Sequence, residues 1–173
     1  MKQILSTLLI ATSLAVTSAH AVIVGASVGY LTDAKDEYIA ARVGTQFGTS
    51  PSLAHIGEFE IGYTSQSESG ITADFMPVTL NYRAEFANAG KFGTYAGVGA
   101  GMAMTKVKAP YGISADNWSF AAQGFAGVSY KVSDKARLNL GARYVWIDDV
   151  RLLGSKVEVG DDVALEIGFG FKF

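Results

Sequence analysis

The sequence predicts an all-β protein, an eight-stranded antiparallel up-and-down transmembrane β-barrel preceded by a cleaved signal peptide. Three observations lead there. First, residues 163–173 alternate without a break: Val163, Leu165, Ile167, Phe169, Phe171 and Phe173 stand against Ala164, Glu166, Gly168, Gly170 and Lys172. Side chains on a strand point to opposite faces with period two, so this is one strand with an apolar face and a small or charged face. Second, the chain opens as an export signal. Lys2 supplies a positive start, Ile4 to Val16 are apolar apart from Ser and Thr, and Ala19-His20-Ala21 has the small-x-small form of a cleavage site. Third, mean hydropathy is positive, yet no apolar run beyond residue 21 approaches the ~20 residues of a spanning helix. Strands that meet lipid with every second residue explain both facts.

The expected division is therefore 1–21 as signal peptide and 22–173 as one barrel domain. The apolar run near the N-terminus is too short for a membrane anchor, and no Cys follows the cleavage site to carry a lipid. With no cysteine anywhere, a disulfide framework is excluded. The net charge of −2 becomes more acidic once Lys2 is removed. That argues against a nucleic-acid partner, which needs a basic surface.

Eight alternating segments follow one another, separated by polar or Gly/Pro/Asn punctuation. Segment one, 22–31, sets Val24, Ala26, Val28 and Tyr30 against Gly25, Ser27 and Gly29. Segment two, 37–47, sets Ile39, Ala41, Val43 and Phe47 against Tyr38, Arg42, Gly44 and Gln46. Segment three, 54–64, sets Phe59, Ile61 and Tyr63 against Glu58, Glu60 and Gly62. Segment four, 74–86, sets Met76, Val78, Leu80, Tyr82 and Phe86 against Thr79, Asn81, Arg83 and Glu85. Segment five, 92–106, sets Ala96, Val98, Ala100, Met102 and Met104 against Tyr95, Gly97, Gly99 and Gly101. Segment six, 117–130, sets Trp118, Phe120, Ala122, Val128 and Tyr130 against Ser119, Gln123, Phe125 and Ser129. Segment seven, 136–146, sets Leu138, Leu140, Tyr144 and Trp146 against Arg137, Asn139, Gly141 and Arg143. Segment eight is 163–173.

The connections alternate in length. Residues 48–53, 87–91 and 131–135 are short turns, whereas 65–73, 107–116 and 147–161 are longer; 32–36 is short although it falls in the second set. In a bacterial membrane barrel the short turns face the periplasm and the longer loops face outward.

Alternation does not by itself say which face is inside. A soluble lipocalin-like barrel would put the apolar face inward, a membrane barrel outward. Three features favour the second. The non-apolar face is rich in glycine, which suits a cramped lumen better than a water-facing wall. The apolar face carries aromatic residues near segment ends, where interfacial girdles belong. The charges of the other face nearly balance: Arg42, Arg83, Arg137, Arg143 and Lys172 against Glu58, Glu60, Glu85 and Glu166. Confined charges must be paired, because burial without a partner is costly.

Adjacent segments bring these charges together. Arg42 and Arg83 flank Glu58 and Glu60, and Arg143 faces Glu166. Two ionic clusters joining across the lumen are expected, with Arg137 and Lys172 the residues most exposed to water at the periplasmic rim. Phe125 is expected opposite the Gly97–Gly99 stretch, where missing side chains leave room for a ring. Pro77, inside segment four, cannot donate a ladder hydrogen bond and should mark a bulge or lie beyond the regular pairing.

On these residues the chain resembles the small outer-membrane β-barrel family of OmpA-like and OmpX-like type. The resemblance covers residues 22–173. The ending, with Phe169, Phe171 and Phe173, is similar to the C-terminal signal that such proteins present to the barrel-assembly machinery. Residues 120–146, with Gly-Val-Ser-Tyr, a short Asp/Lys turn and Leu-Asn-Leu-Gly-Ala-Arg-Tyr, resemble the family's penultimate hairpin. The resemblance implies export and residence in the outer membrane of a Gram-negative envelope. Its implied partners are outer-membrane lipid, lipopolysaccharide, the assembly machinery and a surface ligand of unstated identity. The peptidoglycan-binding domain of many OmpA-like proteins is not expected, since the chain ends on segment eight.

Catalysis and cofactors are not expected. Lipid A deacylases of small-barrel type use His, Ser and Glu on the lipid side. Residues 22–173 hold one histidine, His55, with no His-x-Ser pattern, whereas a nucleophile needs a base within reach and an orienting group. Gly97-x-Gly99-x-Gly101 has period two inside a strand, so it is not a nucleotide loop. Asp148, Asp149, Glu158, Asp161 and Asp162 lack the spacing of a calcium loop and read as solvated charge; Arg151 and Lys156 could instead meet lipid phosphates. The expected role is structural or surface-interactive, with a lumen plugged by Arg/Glu pairs. The alternatives are a narrow passive channel and, more remotely, a soluble periplasmic barrel binding a lipid.

Overall fold

The computed structural model describes residues 21–68, 71–87, 90–108, 114–152, 155–157 and 160–173. The signal peptide expected over residues 1–21 lies, apart from Ala21, outside the described residues. The strands are β1 (Val22–Leu31), β2 (Glu37–Ser50), β3 (Leu53–Glu68), β4 (Ile71–Ala87), β5 (Phe92–Lys108), β6 (Ser114–Lys131), β7 (Ala136–Ile147), β8 (Val150–Leu152), β9 (Ser155–Val157) and β10 (Gly160–Lys172). Eight of them close in the order β1-β10-β7-β6-β5-β4-β3-β2. Every neighbouring pair is antiparallel, including the seam where Val28 meets Ile167 and Val24 meets Phe171.

Closure leaves no edge whose N–H and C=O groups face lipid unpaired, which is the condition for strands to cross a bilayer. The expected faces are the observed ones. Leu80 (70% exposed), Leu140 (61%) and Ile167 (56%) point outward, while Glu60, Arg143, Glu166, Asn81 and Gln123 are buried within. Outward aromatics gather toward the two ends. Tyr30, Tyr63, Trp118, Tyr144 and Trp146 stand toward the loops; Phe47, Tyr82, Phe86, Phe92 and Tyr130 stand toward the turns.

The strands are longer than the segments predicted from alternation. β3 to β6 run 16 to 18 residues, against the ~9–11 that cross the hydrocarbon. Their outer ends outrun their neighbours. β2 pairs with β3 only as far as Tyr63, and β7 meets β6 only from Ala121. The ends of β3, β4, β5 and β6 therefore project as a four-stranded sheet, with the expected loops 65–73 and 107–116 largely absorbed into strand. A separate hairpin, β8–β9, occupies the fourth outer connection. The first outer connection is as tight as expected. The Asp162 carboxylate accepts from the Thr32 hydroxyl and from the Asp33 and Ala34 N–H groups, and Lys35 adopts a left-handed φ of 57°.

Pro77 corrects the expectation placed on it. It lies inside the regular pairing, opposite Ala103 of β5. The register between β3 and β4 is the same on either side of it, at Ile61↔Val78 and Thr64↔Phe75, with the ladder open only at Gly62 and Tyr63. One missing donor is tolerated because intact pairs flank it and β5 holds the other edge. The bulge lies elsewhere, between Gln46 and Gly48, and leaves Phe47 as the extra residue.

Phe125 is register partner to Gly97, as expected. A Cβ on Gly97 would come within 2.4 Å of the Phe125 ring and 2.6 Å of the Tyr82 carbonyl. Gly97→Ala is expected to cost about 1–3 kcal/mol through overpacking, read as a lower denaturant midpoint for the refolded barrel.

Candidate functional site

The inward side chains form a stack along the barrel axis. Its hub is Arg143 on β7, which is 1% exposed, as is Glu60. In the strand order β7 and β3 are separated by three strands on either side, so they face each other across the lumen. Arg143 Nη1 donates to Glu60 Oε1 at 2.6 Å and Nη2 donates to Glu60 Oε2 at 3.1 Å. On the adjacent strand Nε donates to Glu166 Oε1 at 2.5 Å and Nη2 to Oε2 at 3.3 Å. One guanidinium thus holds two carboxylates, each through two oxygens, the arrangement its planar fork favours.

Gln123 completes the layer. Its Oε1 accepts from Arg143 at 2.6 Å, and its Nε2 donates to Glu60, Thr79 and Asn81. The guanidinium also lies 5.1 Å from the Phe125 ring centroid and 5.7 Å from that of Tyr38. Arg42 stands 3.7 Å from Glu60.

A second cluster lies nearer the turns. Arg83 pairs with Glu85 at 2.8 Å, donates to Asn139 at 3.2 Å and stacks 4.0 Å over the Tyr95 ring. Arg137 reaches across from β7 to the other oxygen of Glu85. Arg83 was expected beside Glu58 and Glu60. Instead it pairs two residues along its own face, because Asn81 stands opposite Glu58 in the register. Glu58 is buried, and its Oε2 has no hydrogen-bond partner among the described residues. Lys172, expected at the rim, donates to Gln46 at 3.0 Å.

Toward the loops the lumen is not ionic. Phe75, Ala103, Ala121, Val145 and Ile147 form a buried apolar cluster, and Leu31, Tyr38, Ala40 and Ala164 a second. The expectation of a charged lining missed both. Extending the inner parity of segments four and seven to Phe75, Val145 and Ile147 would have found the first.

The three terminal aromatics lie on the lipid side. Phe169 sits between Ala26 and Leu138, and the Phe171 and Phe173 rings meet edge-on at 4.9 Å. His55 stands at the turn end of β3, where its Nδ1 lies 2.6 Å from the Tyr82 hydroxyl and its ring 6.0 Å from that of Phe47. This is an interfacial aromatic cluster in which the histidine's partner is a phenol, not a serine or an acid. Of the loop residues named above, Glu158 and the side chains of Arg151 and Lys156 lie outside the described residues. Asp161 accepts from the Tyr144 hydroxyl at 2.6 Å, and Asp148 from the Asp149 N–H at 2.9 Å.

Comparison with known proteins agrees with the closed eight-stranded barrel. The barrel resembles Neisserial surface protein A (TM-score 0.70, 17% identity, covering 90% of this chain and 98% of that one). It also resembles Ail, the attachment invasion locus protein of Yersinia pestis (TM-score 0.60, 17% identity, 89% and 97% covered). A further structure of Ail is a complex with the heparin analogue sucrose octasulfate. The outer membrane enzyme PagL shares the fold as well (TM-score 0.54, 13% identity, 86% and 98% covered). At these identities the likeness is one of fold, and the fold hosts unrelated functions. No curated protein sequence matches. The model of the outer membrane protein β-barrel domain matches residues 4–173, and the chain belongs to that family of small outer-membrane barrels.

Proposed function

We propose that this is a non-enzymatic, integral outer-membrane protein, exported by a signal peptide over residues 1–21, whose barrel supports the envelope and presents its outer hairpins to ligands or surfaces. The observation that carries the reading is Arg143 bonded to Glu60 across the full width of the lumen. Eight strands enclose an interior just wide enough for side chains to fill. The guanidinium layer and the apolar cluster around Phe75 and Ile147 support a lumen closed to ions. The narrow passive channel is the disfavoured alternative. Planar-bilayer recording is expected to show no reproducible open steps from the wild-type protein. Regular steps that survive purification would overturn the closed lumen and favour the channel.

The projecting ends of β3 to β6 are the means of surface interaction in this reading, since they are longer than a bilayer requires. The described outer rim exposes Asp33, Glu37, Asp116, Asp148 and Asp161 beside Lys35, Lys106 and Lys108. That balance favours a neutral or cationic ligand over a polysulfate. The lipid-side aromatic band suits outer-membrane lipid and lipopolysaccharide, and Phe169, Phe171 and Phe173 suit recognition by the assembly machinery.

A further inference from the structure

The turn end of the barrel holds a cup of about 330 Å³, whose wall includes Gln46, Glu85, Lys91, Lys131, Arg137 and Lys172. Above it a smaller space of about 50 Å³ continues past Arg83, Glu85 and Asn139 to Arg42 and Glu58, and the Arg143 layer lies beyond. The cup's mouth is at the turn end, the periplasmic side of a bacterial barrel. Its charge is mostly positive: Lys131, Arg137 and Lys172 share the wall with the Glu85 carboxylate, whereas the Lys91 ammonium lies over the outward Tyr130 ring. That carboxylate, Glu85, is already divided between Arg83 and Arg137. Lys131 is matched by Asp134. Among the described residues Lys172 has only the neutral Gln46 as its hydrogen-bond partner, and the Arg137 side chain is 44% exposed. Behind them Arg83 Nε is a buried donor, and Glu58 Oε2 a buried acceptor, without a hydrogen-bond partner among the described residues.

We propose that this cup binds a small multivalent oxyanion, a phosphate or clustered carboxylate group, reaching it from the periplasmic side. A concave site in which cations outnumber carboxylates, over low-dielectric walls, focuses a positive field on its mouth. Arg137 offers planar paired donors to an oxyanion and Lys172 a mobile point charge. The volume lies at the lower end of the range of ligand pockets, about 300–1,000 Å³, which suits a compact anion. The phosphate could come from a free solute or from an inner-leaflet lipid headgroup folding over the rim; the chemistry recognised is the same.

The test is titration of the refolded, isotope-labelled barrel in zwitterionic nanodiscs at low salt, with inorganic phosphate and separately with citrate, followed by backbone NMR. Saturable shifts are expected at Gln46, Arg137 and Lys172, with none at Lys106 on the outer rim. R137Q and K172Q are each expected to weaken binding by about tenfold, the loss of one charge-assisted hydrogen bond in a partly enclosed site. Heat-modifiable migration establishes that each variant is folded, and K172Q disturbs no ion pair. Nanodiscs containing phosphatidylglycerol separate the sources: the same shifts without added anion assign the site to a headgroup, and their absence assigns it to the free solute. Shifts that never saturate, or folded variants that both bind like the wild type, would overturn the proposal.

Discussion

Arg143→Met is expected to destabilise the barrel by about 3–5 kcal/mol, the cost of leaving a buried charge without its partner. The residue is 1% exposed and donates to Glu60, Glu166 and Gln123. Without it Glu60 retains the Gln123 amide at 3.0 Å and the more distant Arg42, so part of its charge remains answered. Among the described residues Glu166 keeps no other donor, so its desolvation is the larger share of the loss. The measurement is reversible urea unfolding of the protein refolded into phospholipid vesicles. The triple variant Glu60→Gln, Arg143→Met, Glu166→Gln separates the cost of breaking the network from the worth of having it. Removing all three charges should recover most of the stability, since replacing a complete buried ionic group is often near neutral. If the single and triple variants unfold alike, Arg143 stabilises by packing between Phe125 and Tyr38 and not by its charge.

The strands were legible in period two, and the reason is physical. Lipid on one side and a crowded polar lumen on the other impose opposite demands on successive residues, so Val163 to Phe173 writes both environments into its alternation. The signal fades where the environments converge. Toward the outer ends of β3 to β6 the contrast between the two faces fades, and Ser65 to Glu68 or Val107 and Lys108 read as loop although they are strand. The three-residue strands of the β8–β9 hairpin are too short to show any period. The site was legible in kind but not in wiring. Parity placed Arg42, Glu58, Glu60, Arg83, Glu85, Arg143 and Glu166 on one face. Which of them meet depends on strand tilt and register, about which a single strand carries no information. Hence Arg143 to Glu166, between sequence neighbours, could be foreseen. Arg143 to Glu60, across the lumen, needed the closed barrel. The apolar cluster at Phe75, Val145 and Ile147 was missed for a different reason: an inward apolar side chain makes both faces of the strand greasy, which erases the very contrast being read.

Ile167→Arg is expected to cost about 2–4 kcal/mol, the depth-dependent penalty for a cation on the lipid face near the bilayer midplane. Ile167 lies between Val28 of β1 and Leu140 of β7, all three outward and more than half exposed. Along β10 it stands midway between the Asp161–Tyr144 contact at the loop end and the Phe171–Phe173 ring pair at the turn end. It has nothing polar beside it on the outer wall. A guanidinium there must reach toward one interface or draw water inward. Val132→Arg is the depth control. Val132 is exposed in the turn between β6 and β7, beyond the Tyr130 aromatic band, where the same substitution should cost no more than about 1 kcal/mol. The comparison uses one side chain, one barrel and one unfolding assay, so the difference isolates depth. Equal penalties at the two positions would mean that the band of Val28, Leu140 and Ile167 does not sit in hydrocarbon. A gap of the expected size places the apolar girdle, and with it the Arg143 layer it encircles, at the centre of the membrane.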